Sequence, residues 1–318
     1  MDNFLERIKK LTEYREFFPF LALIILIVIS SSLSPFFLTV RNISKLLTQV
    51  SIIAVLSAGE TFVILTGGID LSPGSLLALT GAVAAVLINI MGLPVIVGIL
   101  GALVTGALAG ATSGLLLTKV KIPSFIATLA MMSLARGAAL IILGGSPVSG
   151  FPPSFNIINA RMGPVSGLVI IMVAVYIVGQ LILSKTKIGR YIYAIGGNEE
   201  AARFTGLQVD KIKLFVFMFA GLCAGLAGLM MDARLSAAYP NVGVGYELDA
   251  IAASVLGGAS FSGGVGTLRG TLMGALIMAI LSNVLNLLQV PAFYQYVARG
   301  AVLALAATSL SRGVEFQK

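Results

Sequence analysis

From Leu71 to Thr118 the chain runs for 48 residues without a charged side chain. One bilayer crossing takes about 20 residues, so this run alone holds at least two spanning segments. Backbone polar groups in lipid need internal partners, which leaves a helical bundle or a closed β-barrel. The long Leu/Ile/Ala/Gly runs lack the period-two alternation of barrel strands. Across all 318 residues, 58% are hydrophobic and 11% charged, against about 25% charged in soluble domains. The chain reads as an all-α, polytopic membrane protein.

Composition also removes several functions. There is no His, and the single Cys, Cys223, lies in an apolar run, so neither a disulfide framework nor a Cys/His metal site is available. No Gly-Lys pair occurs, which excludes the phosphate-cradling Walker loop. The formal charge of +8 sits between hydrophobic segments, the positive-inside pattern rather than a nucleic-acid stripe.

Ten crossings are expected, at roughly 17–37, 48–66, 75–90, 94–118, 124–143, 164–183, 213–231, 248–258, 271–289 and 294–311. They divide the chain into a cytoplasmic segment 1–16, a transmembrane domain 17–311 that includes a cytoplasmic loop 184–212, and a tail 312–318. The first apolar run is too long for a signal-peptide core, so it reads as an uncleaved helix. On this scheme 15 basic residues fall inside and four outside (Arg41, Lys45, Arg161, Arg234), with Arg136 and Arg299 within helices. That bias places both termini in the cytoplasm. The eighth segment is too short to span, so it is a broken helix or draws on residues past Gly257.

Small residues recur at four-residue spacing: Gly106, Gly110 and Gly114, then Gly221 and Gly225, then Gly270 and Gly274. Such rows are read as close helix packing. A weak internal echo links "LTGGIDLSPGSLLALTGA" to "LGGASFSGGVGTLRGTLMGA", and "IPSF" before "ARGA" to "VPAF" before "ARGA". Repeated broken segments in two halves are the usual pointer to a transport pathway.

The stretch "ILTGGIDLSPGS", residues 64–75, interrupts the apolar pattern. Gly67 and Gly68 can end one helix, Asp70 or Ser72 can cap the next, and Pro73 is tolerated in a first turn. Two readings stand: a capped turn between crossings, or a discontinuous helix lining a permeation route. Ionisable groups within spanning segments face a bundle interior or a wet cavity. Glu60 is one, and Arg136, about 18 Å into its segment at 1.5 Å per residue, is another. Glu60, Asp70 or Asp249 is the expected counter-charge of Arg136.

The loop "SKTKIGRYIYAIGGNEEAARFTGLQVDKIK" contains a short helix design. Asn198 caps it, Glu199 and Glu200 occupy the first turn, Arg203 the last, and Gly206 stops it. Ala201 and Ala202 offer a small-residue surface. Two turns do not hold as a helix alone in water, so its own chain or a partner must support it.

The succession "VILTGGIDLSPGSLLALTGAV", "FIATLAMMSLARG", "GRYIYAIGGNEEAARFTGLQVDKIK" and "ARLSAAYPNVGVGYELDAIAASVLGGASFSGGVGT" resembles the ribose-type permease family of ABC importers, over about residues 17–310. The resemblance implies a permease, not an enzyme, that pairs with a second copy as a homodimer in the bacterial inner membrane and forms the path for a monosaccharide, ribose or another pentose. It also implies a separate cytoplasmic ATPase with two nucleotide-binding halves, which holds the ATP and Mg, and a periplasmic or lipoprotein sugar-binding protein. No cofactor is expected in this chain. The family's coupling loop maps onto Gly196, Gly197, Asn198, Glu199, Glu200, Ala201, Ala202, Arg203 and Gly206. Pathway candidates are Glu60, Gly67, Gly68, Asp70, Ser72, Arg136 and Asp249. Transport of another furanose-like solute such as a quorum-sensing signal, or proton-coupled transport through Glu60 or Asp70, stand as alternatives.

Overall fold

The computed structural model describes residues 16–291, 293–295, 297–298, 300–301 and 304. Its helices are α1 (Phe17–Leu33), α2 (Val40–Leu65), α3 (Pro73–Ala85), α4 (Val95–Leu115), α5 (Ser124–Ile142), α6 (Gly167–Lys185), α7 (Lys187–Gly197), α8 (Glu199–Phe204), α9 (Val209–Leu235), α10 (Tyr246–Leu256) and α11 (Leu268–Leu287). Helices α3 and α4 each continue through a π turn, Val86–Ile90 and Leu116–Val120. Among the described residues seven helices are long and apolar enough to cross a bilayer, namely α2, α3, α4, α5, α6, α9 and α11. The chain is a multi-pass membrane protein.

Several expected boundaries move. The second crossing begins at Val40 rather than 48, because Thr39 caps it by accepting from the Asn42 amide, and it therefore contains Arg41 and Lys45. The seventh lengthens to Val209–Leu235 and takes in Asp232 and Arg234. The eighth is an 11-residue helix, α10, about 16 Å long, so it is too short to span. The tenth crossing, with Arg299 and its "ARGA" echo, lies largely outside the described residues, as do 1–15 and the tail 312–318.

Helices α2 and α9 form the centre. From Val50 to Leu65 every residue of α2 is buried, whereas α4, α5 and α6 bury only a minority of their residues. Lipid tails are as apolar as Leu, so close packing rather than burial from water holds such helices together. The glycine rows supply it. A Cβ at Gly106 or Gly110 would run into the carbonyls of Gly221 or Phe217, and one at Gly274 into the carbonyl of Ala253. Helices α4 and α9, and α10 and α11, thus meet backbone to backbone.

At the end of α5 opposite Ser124, β1 (Val148–Ser149) pairs antiparallel with β4 (Ala237–Ala238), which follows α9. The stretch from β1 to α6 folds through β2 (Arg161–Met162) and β3 (Val165–Ser166), a short hairpin. Phe151 stacks on Phe155 with ring centroids 4.2 Å apart.

Candidate functional site: two backbone breaks and a surface helix

Helix α2 ends where the sequence places its glycines. Gly67 is left-handed at φ +74°, and the amides of Gly67 and Gly68 return to the carbonyls of Ile64 and Val63, a Schellman closure. The chain then leaves helical geometry until Pro73. Four successive amides in that stretch find side-chain acceptors: Ile69 on Ser124 Oγ (3.1 Å), Asp70 on Glu60 Oε1 (3.2 Å), Leu71 on Thr128 Oγ1 (3.1 Å) and Ser72 on Asp70 Oδ1 (2.8 Å). Ser72 does not cap α3 with its side chain; its hydroxyl donates to Asp70 Oδ1 at 2.6 Å instead.

These partners fix where the stretch lies. Ile69 sits beside Ser124, the first residue of α5, Leu71 beside Thr128, and the Gly74 carbonyl 3.5 Å from Arg136. From Ser124 to Arg136 is about 18 Å of helix, and Ile69, Leu71 and Gly74 meet it in that order. The break runs alongside a spanning helix rather than past its end. Non-helical backbone at that depth persists only where protein satisfies it, and Glu60, Asp70, Ser124 and Thr128 do so. Glu60 is fully buried, and its Oε2 has no partner among the described residues.

Arg136 differs from expectation. Its guanidinium donates to the carbonyls of Pro240 (2.7 Å), Val242 (2.8 Å) and, more weakly, Gly74, while the Glu60 carboxylate accepts from the Asp70 amide and the Asp70 carboxylate from Ser72. Backbone leaving α9 dips back to this level, so its carbonyls accept from the guanidinium. Arg136 therefore joins the chain before α10 to the start of α3. Glu247 completes the junction: its Oε1 accepts from the Gly245 amide at 3.1 Å, and a Cβ on Gly74 would overlap its Oε2 and the Gly243 carbonyl. Asp249, in the first turn of α10, is buried.

A second break, Gly257–Thr267, follows α10 and reaches the first. The Gly264 amide donates to the Leu65 carbonyl at 2.9 Å, so the two echoing sequence stretches are in contact. Gly196 is wedged there as well: a Cβ on it would strike the Leu65 carbonyl and the Gly264 amide. Deeper in, the hydroxyls of Thr61, Ser254 and Thr271 form a buried cluster (3.1 and 2.7 Å) joining α2, α10 and α11.

Gly196 and Gly197 end α7, an amphipathic helix that buries Gly189, Ile192 and Ile195. Next comes α8. Asn198 Oδ1 accepts from the Ala201 amide at 2.9 Å, Glu199 and Glu200 occupy the first turn, and Arg203 the last. Gly206, at φ +82°, stops it. Arg203 bridges Glu199 (3.0 Å) and Asp210 (2.8 Å), while Lys213 binds the other Glu199 oxygen. Burial pushes the Glu199 carboxyl upward, but the bonds from Lys213 and Arg203 outweigh it and hold the group below the usual carboxylate range. The Asp210 and Glu199 bonds raise the Arg203 guanidinium.

The small-residue face needs correction. Ala201 is exposed, but Ala202 is 5% exposed and packs on Ile195 and Val209. The 3.6-residue turn points these neighbours about 100° apart, so only one faces outward. Beside Ala201 the outer face carries Glu200 and Phe204, the latter 84% exposed. Sequence reasoning passed over Phe204, the α7 helix, whose Ile188, Ile192 and Ile195 spacing signals it, and the hydroxyls of Ser124 and Thr128.

Residues 42–307 match the family described as the permease component of the branched-chain amino acid transport system. The chain belongs to this permease family. Members similar to it include the ribose import permease RbsC of Escherichia coli K12, 48% identical over 90% of each chain, and that of Bacillus subtilis 168, 47% identical over 91% of this chain and 90% of the other. The D-allose permease AlsC of Escherichia coli K12 is 39% identical over 92% and 90%. As a permease the chain is a transport subunit, not itself an enzyme.

Proposed function

We propose that this chain is the membrane-spanning subunit of an ATP-driven importer in the bacterial inner membrane, carrying ribose or another pentose. The carrying observation is identity of 47–48% to ribose import permeases over 90% or more of this chain. In this reading a sugar-binding protein delivers the solute, two copies of the chain form the path, and a separate ATPase with two nucleotide-binding halves, which binds ATP and Mg, drives it. Ten crossings with both termini cytoplasmic complete the assignment.

Glu60, Gly67, Gly68, Asp70, Ser72, Arg136 and Asp249 belong to the moving part of the path, supported by their place in or beside the breaks. Gly196 to Arg203 and Gly206 couple it to the ATPase. Glu200, Ala201 and Phe204 form the docking face, because they are the outward side of α8; Ala202 belongs to the support beneath. The test uses vesicles holding permease, ATPase and binding protein. Phe204→Asp and Ala201→Trp are expected to leave the permease dimer assembled and to reduce sugar-stimulated ATP hydrolysis and uptake at least tenfold. Wild-type stimulation in both variants removes the docking role. Uptake that survives ATP depletion and stops with a protonophore replaces the whole reading with proton coupling.

A further inference from the structure

Between the α4–α5 turn and α8 lies a cleft of about 630 Å³, within the range of about 300–1,000 Å³ for small-ligand pockets. Its floor is apolar, with Leu117, Ile122 and Pro123, and its wall carries Lys121, Glu199, Arg203, Asp210 and Lys213. Lys119 stands at the rim, 3.8 Å from Asp210 and 69% exposed. The two carboxylates are already engaged: Glu199 by Arg203 and Lys213, Asp210 by Arg203 and Lys119. Four cations thus face two acids, and Lys121, held outward by a left-handed turn at φ +63°, makes no ion pair with a described residue.

The cleft opens where two spanning helices end, α4 with its π turn at Val120 and α5 at Ser124. Its flank is apolar and uncovered: Val120 is 63% exposed, Phe125 49% and Ile126 44%. A cationic pocket at headgroup level beside a bare apolar helix face matches the two ends of one kind of molecule. Basic pockets at the ends of spanning helices bind anionic headgroups. We infer that this cleft binds the phosphate headgroup of an anionic phospholipid, with Lys119 and Lys121 on the phosphate and acyl chains along Phe125 and Ile126. The lipid then fills the space under α8 and braces it against α4 and α5. An acidic peptide segment would use the lysines but leave Phe125 and Ile126 bare, so the lipid accounts for more of the surface.

The experiment is native mass spectrometry of the assembled transporter in detergent, with equal amounts of phosphatidylglycerol and phosphatidylcholine added back. The wild type is expected to retain about one phosphatidylglycerol per permease chain, at least fivefold over phosphatidylcholine. A Lys119→Gln/Lys121→Asn variant, with Asn chosen because it tolerates the left-handed turn, is expected to lose that preference while keeping its elution volume and melting temperature. Inorganic phosphate at the same concentration is expected not to displace the lipid; displacement by phosphate makes this a free-anion site and overturns the proposal. Unchanged lipid preference in the variant overturns it too, and weakened retention of the ATPase alongside then assigns the lysines to an acidic segment of that partner.

Discussion

The two breaks that touch at Leu65 and Gly264 are built from opposite materials. In Thr66–Ser72 consecutive amides are satisfied by side chains from α2, α5 and the break itself. In Gly257–Thr267 the chain satisfies itself: Gly257, Gly258 and Ala259 return to α10 carbonyls, Ser260 bonds to Val265, Gly263 to Ser260, and Gly264 to Leu65. Left-handed Gly258, Gly263 and Gly264 make those turns possible. The first break therefore depends on which groups surround it, and the second on how much room the backbone has. A sequence can echo in its glycines and still be held by different physics.

That contrast gives an ordered set of expectations, read as unfolding midpoints of the detergent-solubilised chain. The largest effect belongs to Gly196→Val. Its side chain meets backbone of both breaks, which cannot rotate away, and overpacking of this kind costs about 3 kcal/mol. Gly197→Ala next to it meets nothing within 4 Å and is expected to stay within about 0.5 kcal/mol. Equal effects at the two positions remove the claim that room decides the second break.

Next is Arg136→Leu. It strips donors from the carbonyls of Pro240 and Val242; bonds to charged groups contribute up to about 1.5–3 kcal/mol each, less at a half-buried side chain such as this one, so a total loss of about 2–3 kcal/mol is expected. Since no acid of the first break neutralises Arg136, adding Glu60→Gln is expected not to restore stability; rescue by that change would reinstate the ion pair. Glu60→Ala follows at about 1–3 kcal/mol, the cost of leaving the Asp70 amide unpaired. Glu60→Gln keeps an acceptor for that amide and is expected to recover most of the loss. The second break offers a control: Ser260→Ala loses only a 3.3 Å exposed contact to the Ser262 amide, with little expected change.

The contrast also explains what sequence could reveal. Glycine pairs and the capped helix from Asn198 to Gly206 announce themselves locally, because a left-handed turn or an N-cap is specified within a few residues. Long apolar runs likewise declared spanning helices. Acceptors for the first break were hidden, since Ser124 and Thr128 lie more than 50 residues away and look like any hydroxyls in a helix. The groups that hold Arg136 were hidden for a related reason: backbone carbonyls carry no letter in the sequence. Burial of Ala202 depended on which face α8 turns to Ile195 and Val209, information that two adjacent alanines do not contain.

The smallest effect separates α8 from both breaks by pH. Glu199 is held below its ordinary value by Lys213 and Arg203, so its contribution is fully present above the unfolded carboxyl value of about 4.3. It is lost as pH falls through the lower folded value. The Glu199 and Arg203 side chains are 39% and 48% exposed, and pairs so open contribute about 0–1 kcal/mol. Acid is therefore expected to lower the hydrogen-exchange protection factors of α8 by no more than about fivefold. Glu199→Gln is expected to show the lowered protection already at neutral pH and little further change on acidification. The Gly264 amide bonds a backbone carbonyl, so its protection is expected to hold through the same range. If it falls together with α8, surface charge and the buried breaks form one cooperative unit, and movement at α8 needs no separate route through Gly196 to reach them.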